Sequence, residues 1–159
     1  MTAFHPKAVV ELKSRQRTAS DPDQPFAKAN TLVRNALFYL GLATLFTHEF
    51  DAIANHEWRI MPLLRSFPEE VGFTTFVLLH IPIFAVLIAL VSSSNGRVRT
   101  LSRVGVGVFL LAHAGLHVLF AGEAGYEFSS SLSNILIFGG ALVGGLYLAA
   151  SHRDIYPSQ

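Results

Sequence analysis

The sequence contains no cysteine among its 159 residues. This absence excludes disulfide bonds, thiolate metal ligands and a cysteine nucleophile. Charged residues are also scarce: Asp, Glu, Lys and Arg make up 14% of the chain, against about 25% in typical soluble domains. In their place, 51% of the residues are hydrophobic, and the mean hydropathy is +0.43. This composition favours a protein that lies in a membrane.

The hydrophobic residues are concentrated in four segments. Each segment has roughly 18–23 residues, and a helix needs about 20 to cross a bilayer core. The second and fourth contain almost no charged side chain, whereas ionisable residues in the first and third leave a buried soluble helix bundle as the alternative. We therefore predict an all-α fold, a four-transmembrane-helix bundle. The segments are residues 31–53, 72–91, 104–121 and 132–150.

The regions flanking these segments predict the domain organisation. Residues 1–30 are basic and proline-containing and lack the apolar core of a signal peptide, so we expect a flexible cytoplasmic tail. The membrane domain would cover residues 31–151, and residues 152–159 would form a second cytoplasmic tail. In the segment from His56 to Glu70, apolar side chains alternate with charged ones. That pattern predicts a short interfacial helix after the first span, with Trp58 at headgroup depth.

Charge distribution predicts the orientation. Ten of the twelve basic residues lie in the N-terminal region through Arg34, between Arg97 and Arg103, and at Arg153. The positive-inside rule then places both termini in the cytoplasm of a bacterial inner membrane, with the loops after the first and third spans outside. The basic residues have no aromatic residues interleaved, so we expect no nucleic-acid partner.

Small residues mark one face of the fourth segment. Gly140 and Gly144 form a small-xxx-small pair, which allows close approach of another helix. The pair could pack within the bundle, join two copies as a homo-oligomer, or contact a helix of a larger membrane complex.

Histidines from three different spans are expected at similar depths. A rise of about 1.5 Å per residue puts His48 roughly 8 Å, His80 roughly 12 Å, His113 roughly 16 Å and His117 roughly 10 Å below the outer face. Ionisable side chains at such depths are costly and usually serve a function. The topology thus predicts one polar layer in the outer half of the bilayer.

The spacing of these residues favours a metal site. His113 and His117 are four apart and share a helix face, as do His48 and Asp51, which are three apart. Zinc or iron accepts histidine and carboxylate ligands. Because they share this layer, we predict that the metal ligands are His48, His80, His113 and His117. Glu49 and Asp51 would act as catalytic base or orient a ligand ring.

Other uses of the same residues stay open. Two histidines on facing helices could ligate a haem iron. The polar layer could also be a structural hydrogen-bonding network, or a path for protons or ions.

The run His48-Glu49-Phe50-Asp51-Ala52, followed by Glu57-Trp58-Arg59 and Pro62-Leu63, resembles the signature of a small uncharacterised bacterial family of four-helix integral membrane proteins. The likeness extends over about residues 34–150. The run is also loosely similar to that of membrane proteins with an HXXEE motif. A more distant similarity is to ceramidase-like membrane hydrolases with a His-x-x-x-His zinc pair. The resemblance implies a four-helix membrane fold and a role for His48, Glu49, Asp51, Glu57 and Trp58.

Three functional hypotheses follow. The first is a membrane protein with a divalent metal site, acting as a hydrolase on a lipid or other amphiphile. The second is a non-enzymatic accessory or assembly subunit of a larger membrane complex. The third is a haem-binding electron-transfer bundle.

Overall fold

The computed structural model describes residues 24–155, and all of its regular structure is helical. The all-α prediction is therefore confirmed for the described part of the chain. Of the predicted tails, residues 1–23 and 156–159 lie outside it, and residues 24–30 and 152–155 lie in the first and last helices. The four long helices are α1 (Gln24–Ala54), α2 (Glu69–Val91), α3 (Gly96–Phe120) and α4 (Ser131–Ile155).

The chain divides into two compact units at the Val33–Arg34 bond. In the first unit the structure describes residues 24–33, which form the opening turns of α1 and begin within the predicted tail. The second unit, from Arg34 onward, contains the remainder of α1 and the other three helices. Every feature discussed below belongs to this second unit.

Among the described residues, three helices are long and apolar enough to cross a membrane, namely α2, α3 and residues Ser131–His152 of α4. Helix α1 is not one of the three. Its outer half carries His48, Glu49 and Asp51, which lower the hydropathy of an otherwise apolar stretch. The site is thus positioned by a hydrophobic helix bundle in which one helix, α1, carries ionisable residues.

Two clusters of buried side chains form the core. One joins Phe38, Leu45 and Tyr147 with residues of α3 and the end of α2. The other joins Trp58 and Phe128 with residues of all four helices and of the loops at the opposite end of the bundle. The candidate site lies beside this second cluster, because His48 packs against Phe128, with ring centroids 5.7 Å apart.

Helices α3 and α4 approach each other closely. A Cβ atom on Gly144 would lie 2.9 Å from the carbonyl oxygen of Gly107 and 3.0 Å from Cβ of Leu110. A Cβ atom on Gly140 would meet Thr44 at 3.3 Å. Gly140 and Gly144 therefore pack against other helices of the same chain, which is the packing within the bundle considered for this pair above.

The segment between α1 and α2 differs from the predicted interfacial helix. It contains two three-residue 3-10 helices, Glu57–Arg59 and Leu64–Ser66. Trp58, expected at headgroup depth, is 4% exposed. The Trp58 ring packs on Phe76, with ring centroids 5.9 Å apart. It also packs on Gly72, where an added Cβ atom would lie 3.1 Å from the Trp58 ring. Pro62 and Pro68 interrupt the segment, which prevents a longer helix.

Candidate metal centre

Four ionisable side chains from three parts of the chain meet at one point. One ligand atom of each lies within 4.8 Å of those of the others. They come from α1, from the following loop and from α3. The residues are His48, Glu57, His113 and His117.

His48 is the most deeply buried member, at 2% exposure. Its ring makes edge contacts with those of His113 and His117, with centroids 4.8 and 5.2 Å apart. Neither of its ring nitrogens has a hydrogen-bond partner. Since buried polar atoms in proteins are nearly always satisfied, this histidine has the environment expected of a metal ligand.

His113 and His117 lie one helical turn apart on α3. Their Nε2 atoms are 3.1 Å apart, and Nδ1 of His117 lies 3.3 Å from the Tyr126 hydroxyl. Phe109 stacks on the His113 ring at 5.4 Å. If both Nε2 lone pairs face one cation, the protonated Nδ1 of His117 can donate to the Tyr126 oxygen, which fixes the ring orientation.

Glu57 enters the group from the loop. The preceding residue, His56, has φ of 51°, and no other non-glycine residue in the described chain has a positive φ. The turn brings the Glu57 carboxylate to 3.8 Å from Nε2 of His48 and 4.0 Å from Nε2 of His117. Burial, reinforced by the charges of Glu49 and Asp51, raises the pKa of Glu57 to about 8.

Asp51 lies behind His48 rather than within the group. Its Oδ2 atom is 4.0 Å from Nδ1 of His48 and has no hydrogen-bond partner, while Oδ1 accepts from the Asn55 amide at 2.9 Å. A carboxylate behind a histidine ring is the usual arrangement for orienting a metal ligand. Asp51 is therefore placed to support His48.

His80 and Glu49 form a separate pair. Nε2 of His80 lies 2.7 Å from a Glu49 oxygen, and its Nδ1 donates to the carbonyl oxygen of Phe76 at 2.7 Å. Because Nδ1 must carry the proton in that bond, the contact between Nε2 and Glu49 requires one further proton. The structure thus does not bring His80, one of the predicted ligands, into the four-residue group. Glu49 lies on a different face of α1 from His48, about 100° away.

Ionisable side chains in and next to the two loops form a rim above the group. His56 donates to Glu127 at 2.9 Å, and Arg59 bridges Glu127 and Glu69, each at 2.9 Å. Glu123 lies 3.7 Å from Arg65. Hydrogen bonding from His56, together with Arg59, holds the pKa of Glu127 below its ordinary value. This rim joins the α1–α2 and α3–α4 loops above the group.

A family model matches residues 34–154. The chain belongs to a family of unknown function, DUF6713. The matched region includes all four residues of the group. No curated protein and no solved structure matches the chain.

The donor set of this DUF6713 chain fits a divalent metal ion. Bond lengths of about 2.0–2.1 Å to a tetrahedral zinc separate neighbouring ligand atoms by about 3.3 Å. The two histidine nitrogens on α3 are already 3.1 Å apart, and the contacts of Glu57 at 3.8 and 4.0 Å need to shorten by less than an ångström.

Glu57, to which the resemblance gave a role, is the member of the group that was not among the predicted metal ligands. The sequence placed residues 56–59 in the predicted interfacial helix, because they follow the span and precede an apolar segment. The available signal was the position of Glu57 nine residues after His48, just beyond the outer end of α1. Depth along a helix could not reveal it, because a loop residue can turn back into the bundle.

Proposed function

We propose that this protein is an integral membrane protein that binds one divalent transition-metal ion through His48, His113, His117 and Glu57. The observation that carries the proposal is the convergence of four donor atoms within 4.8 Å, in a buried place, from three separate segments. All donors are nitrogen or oxygen, which suits zinc or iron.

The finer proposal is a metal-dependent hydrolase that acts on a lipid or another amphiphile. A bound divalent ion supplies acidified water and polarises a carbonyl. The three histidines and Glu57 would hold the ion, and Asp51 would orient His48. Glu49, paired with His80, would lie beside the substrate rather than on the ion.

Orientation and location are part of the proposal. Three described helices are apolar enough to cross a membrane. With α1 as a fourth span, ten of the twelve basic residues fall on one side, so both termini would lie in the cytoplasm and the site would open toward the outer side of a bacterial inner membrane.

Metal analysis of three proteins tests the proposal. Wild type, His48→Asn and His80→Asn are purified in lipid nanodiscs, washed with a weak chelator, and examined by elemental analysis and absorption spectroscopy. We expect about one ion per chain in wild type and in His80→Asn, and loss of the ion in His48→Asn. His80→Asn is the matched control, because it removes a histidine at similar depth outside the group.

The other hypotheses give different results in the same experiment. A Soret band would identify a haem protein and overturn the non-haem site. Wild-type protein that takes up no metal and co-purifies with a fixed partner would favour the accessory subunit. Metal loss in His80→Asn with retention in His48→Asn would overturn the assigned ligand set.

A further inference from the structure

A cavity of about 640 Å³ extends from the metal group along α2 and α3. Its walls also include two residues of α1 and the loop that follows α1. The lining positions recur at helical spacing on one face of each helix. On α3 they are Ser102, Gly105, Val106, Phe109, His113, Leu116, His117 and Phe120.

The cavity is long and narrow in outline rather than round. On α2 its lining runs from Phe76 to Leu90, which corresponds to about 20 Å along the helix axis. On α3 it runs from Phe120 back to Ser102 over a comparable length. Both helices are among those apolar enough to cross a membrane, so the cavity lies at the depth of the hydrocarbon core.

Most polar groups of the cavity lie in the part nearer the α1–α2 loop. Glu57, His113 and His117 lie there with the Glu49–His80 pair, whereas nearly all other lining side chains are apolar. An apolar cavity excludes ordered water and binds apolar ligands. A ligand that matches this distribution has a polar group at one end and a long hydrocarbon chain.

We propose that this cavity binds one acyl chain of a membrane lipid, with the linkage between chain and headgroup held at the His48/Glu57/His113/His117 group. This inference rests on the proposed metal site and names the substrate class for it. A lipid enters from the surrounding bilayer along α2, few of whose residues are buried. The far end of the cavity sets the length of chain that is accepted.

Gly105 determines that length. The position of a Cβ on Gly105 has no atom within 4 Å, and Gly105 lines the cavity on α3, three residues after Ser102. It lies about 12 Å from His113 along α3. A large side chain at Gly105 would fill the far half of the cavity without displacing the metal group.

Gly139 provides the matched control. The position of its Cβ also has no atom within 4 Å, and Gly139 lies on α4, outside the cavity lining. Gly139→Phe therefore adds the same ring to another helix without filling the cavity.

Competition between fatty acids of two lengths tests the proposal. Wild type, Gly105→Phe, Gly105→Leu and Gly139→Phe are placed in lipid nanodiscs and labelled with palmitate that carries a diazirine at the chain end. Unlabelled palmitate or octanoate then competes, and labelled residues are identified by mass spectrometry. Metal content is measured on each sample.

In wild type and Gly139→Phe we expect saturable labelling near Leu90 and Ser102, and stronger competition by palmitate than by octanoate. Gly105→Phe should weaken competition by palmitate by at least about tenfold, the effect of excluding two methylene groups. Gly105→Leu should give a smaller loss in the same direction. Octanoate should compete equally in all four proteins, because it ends before Gly105.

Three results would overturn the proposal. The first is labelling that palmitate does not compete in wild type. The second is equal competition in wild type and Gly105→Phe. The third is a change of oligomeric state in Gly105→Phe, which would assign the cavity to a second copy or a partner helix. Intact metal content with any of these results would separate failure of the lipid site from failure of the metal site.

Discussion

His48 carries an energetic cost that a bound cation would remove. Both ring nitrogens are buried without partners, and such unsatisfied groups destabilise a folded protein by about 1–3 kcal/mol each. Replacing a buried unsatisfied polar group by an apolar group of similar shape is nearly neutral or stabilising. Replacing His48 by an apolar residue should therefore leave unchanged or raise the stability of the metal-free protein. The same replacement should remove the stabilisation that metal gives to wild type.

Thermal unfolding of His48→Phe in nanodiscs tests this reasoning. In chelator we expect its melting temperature to equal or exceed that of wild type. Zinc at 100 times its dissociation constant should stabilise wild type by about 2.7 kcal/mol and leave the variant unchanged. His80→Asn should respond to zinc as wild type does. Equal responses of wild type and His48→Phe would contradict the role of His48.

Among the individual residues, sequence reasoning found the layer but not its internal pairing. Helix length and register placed His48, His113 and His117 at similar depths, and the structure joins them in one group. His80 is at similar depth, but its ring pairs with Glu49. Depth is set by position along one helix, whereas pairing depends on how α1 and α2 are rotated about their axes, which hydrophobic patterning in an apolar environment leaves undetermined.

At the scale of helices, α3 and α4 are in close contact at Gly144. Among the glycines of the described chain, an added Cβ atom would come closest to a neighbouring atom at this position. The Cβ position of Gly144 is 2.9 Å from a backbone oxygen of Gly107, an atom that cannot move by side-chain rotation. Such contacts depend on van der Waals packing, which dominates helix association in membranes. A single methyl group at Gly144 therefore forces the helices apart.

We expect Gly144→Ala to reduce the free energy of unfolding by about 1–3 kcal/mol. Gly139→Ala is the control on the same helix, because its Cβ would meet nothing within 4 Å. The control should be neutral or more stable by up to about 1 kcal/mol, through higher helix propensity. Equilibrium unfolding in mixed detergent micelles measures both. Equal stability of the two variants would show that α3 and α4 are not in close contact.

Helices were easier to predict than the segments between them. A run of apolar residues about 20 long specifies a helix in a membrane, since backbone groups must be satisfied within the segment. The segment from His56 to Pro68 has no such constraint. Its shape follows from the positive φ of His56, the burial of Trp58 and the ion pairs of Arg59, all of which depend on contacts distant in sequence.

For the whole molecule, the orientation is defined by the side on which each loop lies. If α2 crosses the membrane, the loop after α1 and the turn between α2 and α3 lie on opposite sides. The chain has no cysteine, so a single introduced thiol reports its own position without background. Leu63 is 71% exposed in the first of these segments, and Ser94 is exposed in the second.

We expect Leu63→Cys to react with a membrane-impermeant maleimide on intact spheroplasts, and Ser94→Cys to react only after permeabilisation. The reason for this expectation is that positive charges at Arg97, Arg99 and Arg103 would hold the second segment in the cytoplasm. Gel-shift detection of the labelled protein measures both variants. Labelling of Ser94→Cys on intact spheroplasts, with protection of Leu63→Cys, would reverse the proposed orientation.

The distribution of the metal group over α1, the following loop and α3 has a consequence for biosynthesis. A nascent chain that has released only α1 and α2 carries His48 and Glu57, but not His113 or His117. Metal uptake at the proposed site would therefore follow membrane insertion of α3. The ion would then hold the first helix to the third and mark those chains whose assembly is complete.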